Sequence, residues 1–429
     1  MDVLLINLPT DRWYKKTLAK KSSMPPVGLL YLATVLHNNN YKVKVIDFAI
    51  ESILKDQFRE LLDQNKPKII AMSTYNESWQ ALKIFTKITK SILPECKIVA
   101  GGAFATFCFT DIFAETQIDY VIRGEGDYAM LKLCNIIFKR VNENIETISG
   151  IVYRKKNNEL YINNSIERIS DLDQLPFIKR DLIDLKKYTI PFTISTARGC
   201  PGDCIFCSSR AFWGKKVYIR SARNIFQEIM HIYKKYKSKQ FYIADDTFTA
   251  SPRRVEEFCK LILESKIDFD WSCESRANVV TDELCKRIVD AGCGKVQIGL
   301  ESADNEILQK LKKRVTIEQI ENAVKLLYKY KLNIVVSFII GNAHDTHETM
   351  KKTLDFARHL KIDYNAFTVC SINTPFPGTE QYARAEEFKL KIYSENWSDY
   401  CLNNAIISTP YLTKEEIQDY YLKGLSLKV

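Results

Sequence analysis

The chain has 429 residues, 62 basic and 52 acidic side chains, a formal net charge of +10 and 12 cysteines. Its 46% apolar content supplies a core for two or three domains, and 15 glycines with 12 prolines are too few for collagen-like or low-complexity sequence. No apolar run approaches the roughly 18–20 residues of a membrane span, and Met1-Asp2 opens without a basic, cleavable leader, so the expectation is a cytoplasmic protein whose thiols stay reduced.

Over the first 135 residues short β-branched runs alternate with amphipathic stretches. They predict strands at 2–6, 42–46, 68–72, 97–100 and 120–122. Helices are predicted at 27–38, 53–62 and 77–91, more weakly at 108–115, and at 128–139. This alternation implies an α/β domain over 1–140, doubly wound and Rossmann-like, with its ligand crevice at the carboxyl ends of the strands. If the strand order is flavodoxin-like, loops 7–10 and 73–77 form that crevice.

Residues 141–190 read as a linker running over the surface, with a hairpin at 150–153 and 159–162 and a polar stretch at 171–187. A second alternating array follows, with strands at 192–196, 240–244, 270–273, 295–299, 334–340 and 365–370. Its helices are predicted at 222–236, 253–264, 281–291, 317–330 and 348–359, several with clear caps at Ser251-Pro252, Thr281 and Thr316. Six βα units over 191–382 make a partial barrel rather than a full one of eight. The tail, 383–429, is a short polar extension, helical near 414–425.

The strongest chemical signal is Cys200-Pro-Gly-Asp-Cys204-Ile-Phe-Cys207, directly after the first barrel strand. The spacing C-x3-C-x2-C lets one loop wrap a single metal centre, yet three thiolates leave it one ligand short. Structural zinc and ferredoxin clusters take four protein ligands, so an open position points to chemistry on a bound small molecule. A zinc site with a distant fourth ligand is the alternative.

This stretch resembles the radical S-adenosylmethionine (radical SAM) superfamily, and the resemblance continues across residues 193–380. It implies that Cys200, Cys204 and Cys207 hold a [4Fe–4S] cluster whose fourth iron is chelated by SAM. One electron then cleaves SAM to methionine and a 5′-deoxyadenosyl radical. Phe206 matches the aromatic residue often found between the last two cysteines. At the strand ends, the resemblance implies SAM contacts from Asp245, Asp246, Arg276, Glu301, Ser302 and Gly341. A carboxylate and a guanidinium on one barrel face suit a zwitterionic ligand; mutual pairing of Arg276 with Glu301 is the structural alternative. The segment around Gly341 departs from the adenine-contact pattern, with Ser337 for its first glycine and His344 for its final acid. Thr374-Pro-Phe-Pro-Gly378-Thr379 is similar to a segment of cobalamin-dependent members. The other nine cysteines read as packing residues, and Cys370 with Cys401 are too few for a second cluster.

Pro25-Pro26-Val27-Gly28-Leu29-Leu30, Gly101-Gly102 and Arg123-Gly124-Glu125-Gly126 resemble cobalamin-binding domains of such proteins. That resemblance implies cobalamin contacts from Pro9, Thr10, Ser73, Thr74, Tyr75, Asn76, Gly101, Gly102, Gly124, Glu125 and Gly126, with Tyr75 and Asn76 the candidates to face the crevice. No Asp-x-His-x-x-Gly motif is present, so histidine ligation of cobalt by that motif is excluded. Gly124-x-Gly126-x-x-Ala129 also fits a dinucleotide fingerprint, but one belonging to the first βα turn rather than the fifth.

The resemblance implies a cobalamin-dependent radical SAM methyltransferase. One SAM methylates cob(I)alamin; a second supplies the radical that abstracts hydrogen from an unactivated carbon, which then takes the methyl group. Alternatives are a cobalamin-dependent cyclase or ring-rearranging enzyme, a methylthiotransferase-like enzyme, and a corrinoid or iron–sulfur sensor without turnover. The substrate is a small molecule or a peptide. The basic residues stand in scattered groups (Lys15-Lys16, Lys20-Lys21, Lys215-Lys216, Lys312-Lys313-Arg314) without a nucleic-acid reading motif. They suit docking of an acidic electron donor, a flavodoxin or ferredoxin.

Overall fold

The computed structural model describes residues 1–10, 24–51 and 55–427. Lys15-Lys16, Lys20-Lys21 and the first residues of the helix expected at 53–62 lie outside them. The chain divides into two compact units, Met1–Pro191 and Phe192–Val429. Among the described residues no helix is long and apolar enough to cross a membrane.

In the first unit β1 (Val3–Asn7), β2 (Val43–Asp47), β3 (Ile69–Ser73), β4 (Lys97–Gly101) and β5 (Tyr120–Ile122) are parallel, in the order β2-β1-β3-β4-β5. Val3, Leu4, Leu5 and Ile6 are fully buried, as befits a central strand covered on both faces. Chain direction across the sheet reverses between β1 and β3. Asn7 lies there in register with Asp47 on one side and Ser73 on the other. The weak helix expected at 108–115 is two short ones, Ala103–Phe107 and Phe109–Glu115, broken at Cys108.

The stretch expected as a surface linker is part of this unit. β6 (Ile151–Arg154) and β7 (Leu160–Ile162) form a hairpin, and β6 pairs antiparallel with β5. Ile151 and Val152 are fully buried, so the hairpin covers an edge that a three-residue strand would leave open. Further on, Leu172, Leu175, Ile178, Arg180 and Tyr188 are buried. The Tyr188 hydroxyl donates to Asp47 at 2.7 Å, Lys187 pairs with Glu51 at 3.0 Å, and the Lys179 N–H donates to Thr34 Oγ1 at 2.9 Å. Apolar residues spaced among the polar ones fasten the segment down, which its average polarity conceals.

The second unit opens with β8 (Thr193–Ile194) and β9 (Ala197–Arg198), where one strand was expected, and continues with β10 (Tyr218–Ile219). β11 (Gln240–Ile243), β12 (Asp270–Ser275), β13 (Cys293–Glu301), β14 (Asn333–Ile340) and β15 (Phe367–Ile372) follow. β8, β11, β12, β13, β14 and β15 form one parallel sheet in chain order. Helices Ala222–Tyr236, Pro252–Glu264, Asp282–Asp290, Ile317–Lys329 and His347–Tyr364 connect them. Ser221, Thr281 and Thr316 accept backbone N–H bonds as N-caps, and Gln319 closes a capping box with Thr316. The core centres on Trp271, which stacks on Phe241 and meets Phe248 and Phe258 edge-on.

The polar tail also joins this core. β16 (Lys391–Ile392) pairs with β17 (Ile407–Ser408), and helix Lys414–Ser426 buries Ile417 and Tyr421 against the barrel.

Candidate functional site

Residues 199–217 leave the barrel as one loop between β9 and β10, whose antiparallel pairing closes its base. Gly199 opens the loop at φ +101°, where a Cβ would lie 3.3 Å from Trp213 Cβ. Cys200 and Cys204 are half-buried and Cys207 is exposed, whereas eight of the other nine cysteines are buried. Cys200 Sγ accepts the Gly202 N–H at 3.4 Å and lies 3.7 Å from Thr247 Oγ1. Cys207 Sγ accepts the Ser209 N–H at 3.4 Å. Cys204 Sγ lies 3.9 Å from Arg276 Nη1 and 3.9 Å from the Lys312 carbonyl. Burial pushes the Cys204 thiol up, opposed by the Lys313 ammonium and the Arg276 guanidinium.

The three thiols thus have separate partners, and among the described residues no three His, Cys, Asp or Glu side chains gather as a metal site. The donor set nevertheless fits an iron–sulfur centre. Three soft ligands share one loop, and two of the sulfurs already accept backbone N–H bonds of the kind that tune such clusters.

Asp245, expected to contact SAM, is spent on the fold. Its buried carboxylate accepts the Thr196 N–H at 2.6 Å, the Ala197 N–H at 2.9 Å and the Thr196 hydroxyl, with Arg254 Nη2 at 3.5 Å. This grip divides β8 from β9 and anchors the residues from which the cysteine loop departs. Asp246, the next residue, is exposed and accepts the Ser209 hydroxyl on that loop. Phe206 packs against a small apolar cluster of Ile205, Ile307 and Leu311.

Arg276 and Glu301 do meet at the loop, through a residue that composition conceals. Glu301 forms a buried ion pair with Lys313 at 2.7 Å. Arg276 Nη2 donates to the Lys313 carbonyl. The triplet Lys312-Lys313-Arg314 was grouped with the basic residues suited to an acidic donor, yet its middle side chain is only 8% exposed. The buried Ser302 hydroxyl accepts the Asp304 N–H at 3.3 Å and shapes the following turn.

Gly341, a second expected SAM contact, is likewise committed elsewhere. Its N–H donates to Met350 Sδ at 3.4 Å and its carbonyl accepts Asn373 Nδ2 at 3.1 Å. Ile417 fills the space where its side chain would stand, 2.8 Å from an added Cβ. The acid that seemed replaced by His344 stands one residue later. Asp345 accepts the Asn342 N–H at 2.7 Å and the Thr349 hydroxyl at 2.8 Å, and burial pushes its carboxyl up to about 7.

In the first unit the expected contacts also divide. Thr74 is fully buried; its N–H and hydroxyl both donate to the Gly101 carbonyl, at 2.9 and 2.8 Å. Gly102 adopts φ +97°, and a Cβ there would sit 3.0 Å from the Thr74 carbonyl oxygen. Glu125 is held by Arg168 Nε at 2.8 Å and the Ile169 N–H at 2.7 Å. Gly124, at φ +75°, faces Ile166, and Gly126 lies against Leu32. These residues fold the turn after β5 onto the 166–169 segment. Pro9 is buried, while Thr10 and Tyr75 are exposed, Ser73 is half-buried, and a Cβ on Gly101 would lie 3.7 Å from the Ile122 carbonyl oxygen.

Among the described residues, two amides at the switch point are left without a full set of partners. Asn7 Nδ2 donates to Asp47 Oδ1 at 2.7 Å, which leaves its buried Oδ1 without a partner. A carboxylate oxygen only accepts, so the orientation of this amide is determined. Asn76 Nδ2 is buried without a partner at the start of the turn Asn76–Ser78. Each orphan costs about 1–3 kcal/mol until something satisfies it. The periphery of a corrin carries primary carboxamides, which donate and accept, so one orphan acceptor and one orphan donor fit that ligand. Asn7 opens the crevice loop 7–10 expected from the sequence but was not among the contacts named there, although its place as the last residue of β1 is the signal that would have singled it out.

The radical SAM superfamily model matches residues 194–357, and the B12 binding domain model matches residues 18–133. The uncharacterized methyltransferase PH0819 of Pyrococcus horikoshii is 31% identical over 431 residues, covering 99% of this chain and 91% of that protein. The anaerobic magnesium-protoporphyrin IX monomethyl ester cyclase of Rubrivivax gelatinosus is 26% identical over 438 residues, covering 93% of this chain and 78% of that one. Among solved structures, the cobalamin-dependent S-adenosylmethionine radical enzyme OxsB aligns with a TM-score of 0.78 at 18% identity, over 98% of this chain and 65% of its own. The radical S-adenosylmethionine methyltransferase TsrM from Kitasatospora setae aligns with a TM-score of 0.76 at 16% identity, over 100% of this chain and 89% of its own. A B12 binding domain followed by a three-cysteine radical SAM barrel, matched along nearly its whole length, places this chain in the cobalamin-binding radical SAM family.

Proposed function

We propose that the chain is a cobalamin-dependent radical SAM methyltransferase acting on an unactivated carbon of a small molecule or peptide. The observation that carries the reading is the full-length likeness to a protein described as an uncharacterized methyltransferase, in a chain with three free thiols on one loop. When bound, the cluster with SAM supplies a 5′-deoxyadenosyl radical and the corrinoid supplies a transferable methyl group.

The chain's own residues bind and orient these groups. Cys200, Cys204 and Cys207 would hold the cluster, on a loop braced from below by Asp245 and Arg254. Arg276 and Glu301 would face the zwitterionic end of SAM. Asn7 and Asn76 would satisfy corrin amides at the switch point. Hydrogen abstraction by a carbon radical needs no protein base, so no acid or base is assigned.

Anaerobically reconstituted protein should retain a corrinoid and yield both S-adenosylhomocysteine and 5′-deoxyadenosine on turnover. Deoxyadenosine without S-adenosylhomocysteine sinks methyl transfer and favours the second reading, a cyclase or ring-rearranging enzyme, which the Rubrivivax relative supports. For the electron donor, exposed Arg210, Lys215, Lys216 and Arg314 on and beside the cysteine loop suit an acidic flavodoxin or ferredoxin. Cluster reduction by such a donor should slow as salt rises; a rate independent of ionic strength removes this role from the charge.

A further inference from the structure

Lys313 is buried and connected in a way that its sequence neighbours are not. Its side chain is 8% exposed, against 44% for Lys312 and 72% for Arg314. Lys312 and Arg314 both adopt left-handed backbone, at φ +55°, and Glu301 does so at φ +62°. Lys312 takes that backbone in closing the helix Asn305–Lys310, where Lys313 donates its N–H to the Leu308 carbonyl, whereas Arg314 and Glu301 each spend roughly 1 kcal/mol or more beside one ion pair.

Two glycines clear space for the same group of side chains. A Cβ on Gly299 would lie 2.2 Å from Glu301 Oε1 and 2.6 Å from Lys313 Nζ. A Cβ on Gly202, inside the cysteine loop, would lie 2.8 Å from Arg276 Nη1. A buried ion pair is at best a weak source of stability compared with apolar packing of the same volume. Strain and cleared space spent on one therefore point to work other than holding the fold.

We propose that Lys313 is the positioning residue of the SAM and cluster site: its ammonium holds the Glu301 carboxylate while its carbonyl holds the Arg276 guanidinium beside Cys204. One residue thereby sets the spacing between a carboxylate and a guanidinium, the two charges that a zwitterionic aminocarboxylate ligand requires. The inference rests on the assignment of Arg276 and Glu301 to SAM, and not on the fate of the methyl group.

The test uses the full chain with its cluster reconstituted anaerobically, and the variants K313M, K313R, E301Q and R276Q. SAM affinity is read from the change that SAM causes in the EPR spectrum of the reduced cluster, and the cluster midpoint potential is measured alongside. At full iron content, K313M should weaken SAM binding about tenfold or more and shift the potential, since removing one partner of a buried pair leaves the other charge uncompensated. K313R keeps the cation and should recover most of that loss. K313M/E301Q should fall well short of the product of the single losses, because both act through one contact. Native SAM affinity and potential in K313M, with E301Q or R276Q impaired, overturns the role of Lys313 and leaves the assignment of the strand-end residues standing. Native SAM affinity in all four variants overturns both. Should K313M fail to hold its cluster, K313R against E301Q decides: an E301Q protein that binds SAM as the parent does overturns the proposal.

Discussion

Asp245 and Asp345 are both buried at strand ends of the barrel, with different consequences. Asp245 offers only acceptors to two N–H groups and a hydroxyl. In D245N an amide donor replaces one of those oxygens and faces donors. The expected loss is about 2–4 kcal/mol, read as a lower Tm of the apo-chain. Iron bound after reconstitution should fall with it, because Thr196 and Ala197 anchor the cysteine loop. A D245N protein with native Tm and iron but weakened SAM binding would return Asp245 to the ligand. For Asp345 the measurement is pH dependence. Burial, with Asp304 nearby, pushes its carboxyl from the usual value near 4 up to about 7. Between those values the folded chain holds a proton that the unfolded chain has released. Stability therefore falls as pH rises through that window, by up to roughly 1.4 kcal/mol per pH unit, and levels off above it. D345N has no such proton, so its stability relative to the parent should improve steadily from pH 5 to 7. Urea unfolding of both chains across that range checks this; a constant difference sinks it.

At the scale of elements, the C-terminal helix meets the barrel through Gly341. G341A would place a side chain on left-handed backbone, at a cost of about 1 kcal/mol, and drive its Cβ to within 2.8 Å of Ile417. I417A alone should cost about 2–5 kcal/mol as a cavity. In the double variant the truncated side chain at position 417 admits the new methyl group, so the two losses should sum to less than their parts. Simple additivity would show that the contact is not tight. The strands were legible because parallel strands buried on both faces read as unbroken apolar runs, and the helices because Thr281 and Thr316 cap their starts as expected; at Ser251-Pro252 the proline opens the helix and the serine side chain makes no cap bond. The cysteine loop was legible from spacing alone. What a strand-end polar residue does was not. Asp245 and Asp246 are neighbours just past β11, yet one is buried and the other exposed. Glu125 finds its partner 43 residues away at Arg168, a pairing with no local signal. Lys313 was hidden by its charged neighbours, because only the left-handed backbone on either side turns it in.

At the scale of the molecule, the decisive boundary is Pro191 rather than residue 140. Three of the contacts that bind the intervening segment to the doubly wound domain matter most here. β6 covers the edge of β5, Arg168 neutralises the buried Glu125, and Tyr188 donates to the buried Asp47. A fragment ending at 140 would expose Val121 and Ile122 along an unpaired edge and strip partners from two buried carboxylates. Each lost carboxylate partner costs on the order of 1–3 kcal/mol, and an open hydrophobic edge invites association between chains. A fragment of residues 1–191 should therefore melt cooperatively by circular dichroism and elute as a monomer. Residues 1–140 should aggregate, or melt broadly at lower temperature. The same pair of fragments separates two views of the carrier domain. If corrin amides are met by Asn7 and Asn76, residues 1–191 should retain a corrinoid through gel filtration, and N7A/N76A in that fragment should retain less at unchanged Tm. Equal stability of the two fragments would make the segment from 141 to 190 a linker after all.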